Sequence, residues 1–329
     1  MTTKSLACMH MERNIIFTTE IKIKMDKILV FGGSGFIGKH LVKELENNYN
    51  VIVISRRKRT VANQLNNKVT VERLRSRDLT KLVELMEGAK GVINLAGENV
   101  GGRWSKNKMD KIRKSRLEVD SIIVRVIRAV KIKPEVVIQG SAIGIYGFTR
   151  NTIDVTEETP LGQRGFLPKV AISHEESFQQ IESLTRVVYL RTGLVLDAND
   201  GALPKIANLF KYYIGGKLGS GKQWNSWIHI QDEVRAIKYL LENTKSTGPY
   251  NLTAPNPVQN DEFSRAIGKV LKKPSFMPAP SFIIRLLKGN MGNELLLGGL
   301  KVIPSKLESE GFKFNFKNID DALANIYNQ

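Results

Sequence analysis

The sequence predicts an α/β fold: a doubly wound parallel sheet followed by a smaller, mostly helical C-terminal lobe. Two observations carry that prediction. Short, continuous runs of β-branched residues, such as Val51-Ile52-Val53-Ile54, alternate with longer helical patterns, as in strands buried on both faces of a parallel sheet. The first run, Lys27 to Phe31, enters the cluster Gly32-Gly33-Ser34-Gly35-Phe36-Ile37-Gly38, which opens a helical pattern. Gly33, Gly35 and Gly38 fit G-x-G-x-x-G, and Gly32, Gly35 and Gly38 fit G-x-x-G-x-x-G. Glycine permits the tight turn and the close approach of a pyrophosphate, and a helix N-terminus offers free N–H groups and positive dipole. With a strand before it and a helix after it, the cluster is read as a dinucleotide site.

The remaining elements follow in order. Strand two ends in Ser55-Arg56-Arg57-Lys58-Arg59. An NAD site usually holds the ribose 2′-hydroxyl with an acid here. Arg56 and Arg57 offer bidentate donors to a 2′-phosphate instead, so NADP (NADPH) is the expected cofactor. Val69–Val71 reads as a third strand, and Asp78 as the cap of a helix that runs to Glu87 and is closed by Gly88. Gly91 to Gly97 is a fourth strand with a small-residue end, where Ala96 and Gly97 let a cofactor lie against the backbone. Residues 105–130 read as a long amphipathic helix. Glu135–Gln139 is the fifth strand, with Ser141 just past its end, where such sheets place their chemistry. Arg186–Leu190 is the sixth. Asp232 has the position of a helix cap or near-cap, 261–272 reads as a helix, and the tail is mostly helical.

The 329 residues carry a net charge of +18 and are 42% hydrophobic, enough for a sizeable core. The basic residues run through the whole chain, with clusters at 56–59 and 103–116. No aromatic stacking platform accompanies them, so a nucleic-acid partner is not expected. No apolar run reaches the roughly 18 residues of a membrane span, and no membrane partner is expected. Cys8 is the only cysteine, which excludes an intramolecular disulfide and a cysteine metal cage, so no metal is expected and a cytoplasmic location is. Residues 1–24 read as a loose extension or the product of an upstream start codon, since Met25 stands directly before the first strand. Glu12 and Glu20 speak against a transit peptide.

With these pieces placed, the chain resembles the short-chain dehydrogenase/reductase superfamily in its extended, nucleotide-sugar-epimerase-like branch. More narrowly it resembles the atypical "epimerase family protein" branch that ends in a small domain of unknown function. The resemblance rests on residues 32–38, on Asn94-Leu95-Ala96-Gly97-Glu98-Asn99, Arg103-Trp104-Ser105, Ser115-Arg116 and Leu190-Arg191-Thr192-Gly193. It continues through Leu218 to Trp224, Ser226 to Ile230, Asn251 to Pro257 and Glu294 to Gly298. It implies a Rossmann domain over 25–245 and a C-terminal lobe over 246–329, with the domain of unknown function at about 275–325. It also implies cofactor contacts from Gly32, Gly33, Ser34, Gly35, Phe36, Ile37, Ser55, Arg56, Arg57, Leu95, Ala96, Gly97, Glu98 and Arg116. A small-molecule substrate is implied, and the branch leaves room for a homodimer.

The catalytic machinery departs from the superfamily. Active members carry Tyr-x-x-x-Lys about 25 residues beyond the serine that Ser141 matches. If Glu175 marks the usual glutamate, the tyrosine and lysine positions hold Leu167 and Ala171, and neither transfers a proton. Tyr146, Lys169 and His174 are the candidates to replace them. Tyr146 reads more readily as a packed ring, and a lone His more often as structural. His229 with Asp232 fits either a sugar-pocket block or a strand-to-helix cap. Two functions remain: an NADP-dependent oxidoreductase or epimerase on a polar substrate, nucleotide-linked ones included, and a non-catalytic dinucleotide-binding regulator.

Overall fold

The structure, a computed structural model, describes residues 25–74, 79–148 and 153–328. The N-terminal extension and Asp78 lie outside the described residues. The elements in order are β1 (Lys27–Phe31), α1 (Phe36–Leu45), β2 (Asn50–Ser55), α2 (Lys58–Ala62), β3 (Thr70–Arg73), α3 (Thr80–Met86), β4 (Gly91–Asn94) and α4 (Lys106–Ala129). Then come β5 (Val136–Ala142), α5 (Phe166–Gln179), β6 (Arg186–Thr192), β7 (Leu194–Leu196), α6 (Leu203–Lys211), β8 (Trp224–Asn225), β9 (Trp227–His229) and α7 (Ile230–Glu242). The tail adds β10 (Gly248–Leu252), β11 (Val258–Gln259), α8 (Asn260–Leu271), α9 (Ser281–Lys288), α10 (Ser305–Ser309) and α11 (Ile319–Tyr327).

Seven strands form one parallel sheet in the order β3-β2-β1-β4-β5-β6-β10. The chain winds outward from β1 through β2 to β3, then returns to place β4 on the other side of β1. That reversal opens a crevice at the carboxyl ends of β1 and β4, where such sheets bind ligands. The strand period of two divides the core. Ile28 and Val30 of β1 pack with α1 and α7 on one face; Leu29 and Phe31 pack with α3 and α4 on the other. A third cluster, built on Phe210, Trp227, Phe263, Ile267 and Leu323, packs α6 against α8 and α11 of the C-terminal lobe.

Two strand bounds are corrected, and the cap of α7 is defined. The third strand is Thr70–Arg73, shifted past Val69. The fifth strand extends to Ala142, so Ser141 lies inside it, paired with Arg191 of β6. The cap of α7 is His229, whose Nδ1 accepts the Gln231 N–H (3.1 Å), and Asp232 stands near the cap in the first turn. Asp232 is fully buried and accepts the Asn315 and Phe316 N–H groups (3.0 and 2.8 Å), fastening the tail to α7. Gly88 closes the β4-side turn with φ +60°.

Candidate cofactor and active site

The glycine turn sits at the switch point. Gly32 has φ +79°, and a Cβ there would lie 2.7 Å from the Leu95 carbonyl carbon. A Cβ on Gly38 would run into the Gly32 carbonyl oxygen and come within 2.8 Å of Gly33 Cα, so close packing of helix on strand requires glycine there. Gly35 N–H donates to Gly32 O (2.9 Å), and Ser34 and Gly35 are exposed. Helix α1 starts at Phe36 and Ile37 with no side-chain cap and no acid in its first turn. Its first N–H groups lack intrahelical partners by geometry, and the nearby Asp200 carboxylate is paired with Lys39. These residues fit a pyrophosphate.

At the end of β2, Ser55 Oγ accepts the Arg57 N–H (3.1 Å), while the Arg56 and Arg57 side chains are exposed. Arg56 also lines a cleft of about 700 Å³ between Leu74 and α4, with Arg113, Lys114 and Leu117 on its far wall. Beyond β4, Asn94 Oδ1 accepts the Ala96 N–H (3.2 Å) and so shapes the Leu95-Ala96-Gly97 segment. Arg116 donates to the carbonyls of Glu98 (3.2 Å) and Ile112 (3.0 Å), and its guanidinium lies 3.0 Å from where a Gly97 Cβ would stand. Glu98 pairs with Lys108 (2.6 Å), which holds its carboxyl below the usual range; Arg56 adds a smaller contribution in the same direction. Its N–H donates to Ser115 Oγ (2.9 Å).

Two polar networks lie beneath the carboxyl end of β5. In the first, Ser141 Oγ donates to Glu175 Oε1 (2.7 Å). Arg191 clamps Glu175 with two bonds, Nε to Oε1 at 3.1 Å and Nη2 to Oε2 at 2.9 Å. Arg191 Nη1 then donates to the Tyr146 hydroxyl (2.9 Å), which donates to Asn251 Oδ1 (2.7 Å). In the second, Asn94 Nδ2 donates to Asp120 Oδ1 (3.1 Å) and Gln139 Oε1 (2.9 Å), while His174 Nδ1 meets Asp120 Oδ2 at 2.5 Å and Nε2 meets Gln139 Nε2 at 2.6 Å. Burial pushes the Asp120 carboxyl up.

The structure thus places Ser141, half-buried, near the carboxyl end of β5. It places Tyr146 and His174 inside, 1% and 4% exposed, with hydroxyl and ring committed to buried partners. Burial raises the Tyr146 phenol to about 12. Lys169 is exposed on α5. His229 stacks on Phe316 (4.0 Å between ring centres), and burial lowers it to about 4, so with Asp232 it serves as a cap and tail anchor.

Sequence reasoning used Glu175 only to mark register, and it missed Asp120 and Gln139. The available signal was a charge in an apolar pattern: Arg191 inside a strand and Asp120 on the inner stripe of α4 must find buried partners. It also did not foresee that Glu294 reaches α5. Both its carboxylate oxygens accept N–H groups of that helix's first turn, from Phe166 (2.9 Å) and Leu167 (3.1 Å).

A doubly wound sheet with a glycine turn at its switch point and polar groups at its carboxyl edge defines a dinucleotide-binding enzyme of oxidoreductase character. The profile of the NAD dependent epimerase/dehydratase family matches residues 28–253, and the chain belongs to that family. Residues 279–326 match a domain of unknown function, DUF1731. Epimerase family protein YfhF of Bacillus subtilis (strain 168) is 34% identical over 310 residues, 91% of this chain and 97% of the relative. The chloroplastic SDR39U1 homolog of Arabidopsis thaliana is 33% identical over 316 residues, 95% and 90%. The crystal structure of human epimerase family protein SDR39U1 (isoform 2) with NADPH superposes with TM-score 0.82 at 27% identity, covering 92% of this chain and 99% of that one. UDP-glucuronic acid 4-epimerase of Bacillus cereus shares the fold, with TM-score 0.73 at 20% identity over 92% and 98%. Among the described residues no helix is long and apolar enough to cross a membrane.

Proposed function

We propose that the protein is an NADP-dependent oxidoreductase or epimerase acting on a carbinol or carbonyl of a polar substrate, nucleotide-linked ones included. In this reading Ser141 and Glu175 replace the absent tyrosine and lysine. The observation that carries it is the 2.7 Å bond from Ser141 to a glutamate clamped by Arg191. Because Ser141 gives its proton to Glu175, its oxygen lone pairs are left to accept a substrate hydroxyl.

The phosphate turn and the α1 N-terminus would hold the pyrophosphate, and Arg56 and Arg57 the 2′-phosphate. The NADPH of the human relative and the lack of an acid after β2 support that choice. A bound nicotinamide dinucleotide supplies or takes up the hydride. Ser141 Oγ takes the proton of the substrate hydroxyl as its own proton passes to Glu175 Oε1; the reverse order serves carbonyl reduction. Arg191 positions that carboxylate, and Leu167 and Ala171 leave the surroundings without another proton carrier at the superfamily's usual positions. The single cysteine fits work in the reducing cytoplasm.

Cofactor oxidation against a panel of carbonyl and sugar-nucleotide compounds tests this reading. Ser141→Ala and Glu175→Gln should each lower turnover by about 10²–10⁴-fold, the usual worth of general acid–base help. NADPH affinity, read by calorimetry, should stay at the parent value. Parent turnover in both variants would show that the relay is not used.

A further inference from the structure

The end of α6 and the C-terminal lobe together carry a surface that the catalytic reading does not use. Among the described residues, eleven of the sixteen exposed large apolar side chains fall in two segments, 209–214 and 276–295. Tyr212 is 76% exposed, Phe276 70%, Phe282 67% and Leu286 74%. Main-chain bonds join the segments: Gly216 bridges to Phe276, Met277 N–H donates to Gly215 O (3.3 Å), and Ala279 N–H donates to Lys217 O (2.9 Å). Helix α9 follows at once. Its one buried residue is Ile284, while the i,i+4 pairs Phe282/Leu286 and Ile283/Leu287 share a face turned to solvent.

The charge around this face is mostly positive, with Asp261 and Asp320 pairing Arg265 and Lys269 at its border and Glu294 bonded to the first turn of α5. Residues 201–231 contain four lysines, and 263–293 contain six lysines and arginines; neither stretch has an Asp or Glu. Arg285 and Lys288 lie on α9 itself, and Lys273 stands over the Tyr213 ring at 4.1 Å. A two-fold contact between copies would set these cations against one another at a self-complementary interface. An anionic lipid surface meets both features: apolar tips enter the headgroup boundary, and the cations meet lipid phosphates.

We infer that the face formed by residues 209–217 and 273–288 docks on an anionic membrane surface. This reaches past the expectation of no membrane partner, which rested on the lack of an apolar run long enough to span. Docking is independent of the reaction proposed for Ser141.

The test is cosedimentation of the full chain with phosphatidylcholine vesicles, with and without phosphatidylglycerol. The parent should bind the anionic vesicles at least tenfold more tightly than the neutral ones, and added salt should weaken that binding. Phe282→Ser with Leu286→Ser, and separately Arg285→Glu with Lys288→Glu, should each weaken it by at least about tenfold. All variants should keep the parent's NADPH affinity, which reports an intact fold. No binding to anionic vesicles, or equal binding by parent and variants, overturns the inference. So does a concentration-dependent dimer in sedimentation velocity that the Phe282/Leu286 variant dissolves, since the face would then join two copies.

Discussion

Glu233 offers a sharp test of how this fold handles charge. It lies in the first turn of α7, where the helix dipole favours a carboxylate, yet it is 0% exposed. Its Oε1 accepts the Thr192 hydroxyl (2.9 Å), and among the described residues its Oε2 has no hydrogen-bond partner. Burial wins over dipole and hydroxyl and pushes its carboxyl from the ordinary 4.5 up to about 8. Between those values the folded chain holds a proton that the unfolded chain has released. The contribution is therefore fully present below about pH 4.5 and is lost as pH rises toward 8. One pH unit in that window is worth about 1.4 kcal/mol, so the whole window amounts to roughly 4–5 kcal/mol. Glu233→Gln keeps an acceptor for Thr192 and cannot titrate. The assay is urea unfolding of parent and variant at intervals from pH 5 to pH 8. Their stability difference should shift by about 1.4 kcal/mol per unit in favour of the variant as pH rises. Taking the difference removes Asp120 and Glu157, whose carboxyls burial also raises. Parallel curves would refute the reasoning and show that water or a rearranged partner reaches Oε2.

Three further outcomes follow from the same geometry. NADPH should bind at least about tenfold tighter than NADH, or about 1.4 kcal/mol, and Arg56→Ala with Arg57→Ala should erase the preference; equal affinities of the parent for both would refute the 2′-phosphate assignment. Glu294→Ala removes the acceptor for both first-turn N–H groups of α5 and should cost about 1 kcal/mol, lowering the melting temperature by a few degrees. An unchanged melting temperature would mean that solvent caps α5 equally well. Gly38→Ala drives a methyl into the Gly32 carbonyl, and should cost about 1–3 kcal/mol and abolish dinucleotide binding in calorimetry; parent-like binding would show that the turn can yield.

Much of the fold was legible in the sequence because its information is local. The β-branched runs and the helical patterns between them state which segments are buried on both faces, and chirality leaves few ways to wind them. The glycine cluster is legible for the same reason: the need for φ +79° at Gly32 and for no side chain at Gly38 belongs to a seven-residue stretch. The ends of elements were less so. Ser141 falls within β5 because Arg191 and Thr192 extend the ladder opposite it, a pairing set 50 residues away.

The candidate site divides along the same line. The sequence by itself determined the glycine turn, the basic end of β2, the serine near the carboxyl end of β5 and the absence of Tyr-x-x-x-Lys, because each is a residue type at a position along one strand or helix. Only the tertiary structure decided what Ser141 touches. Its proton goes to Glu175 from α5, which is held by Arg191 from β6, while Tyr146 and His174 turn inward to Asn251 and Asp120. A buried charge needs a partner, and the sequence states that need. Which partner meets it depends on three elements converging within hydrogen-bond distance. That convergence is set by packing across the whole sheet, which no local pattern encodes.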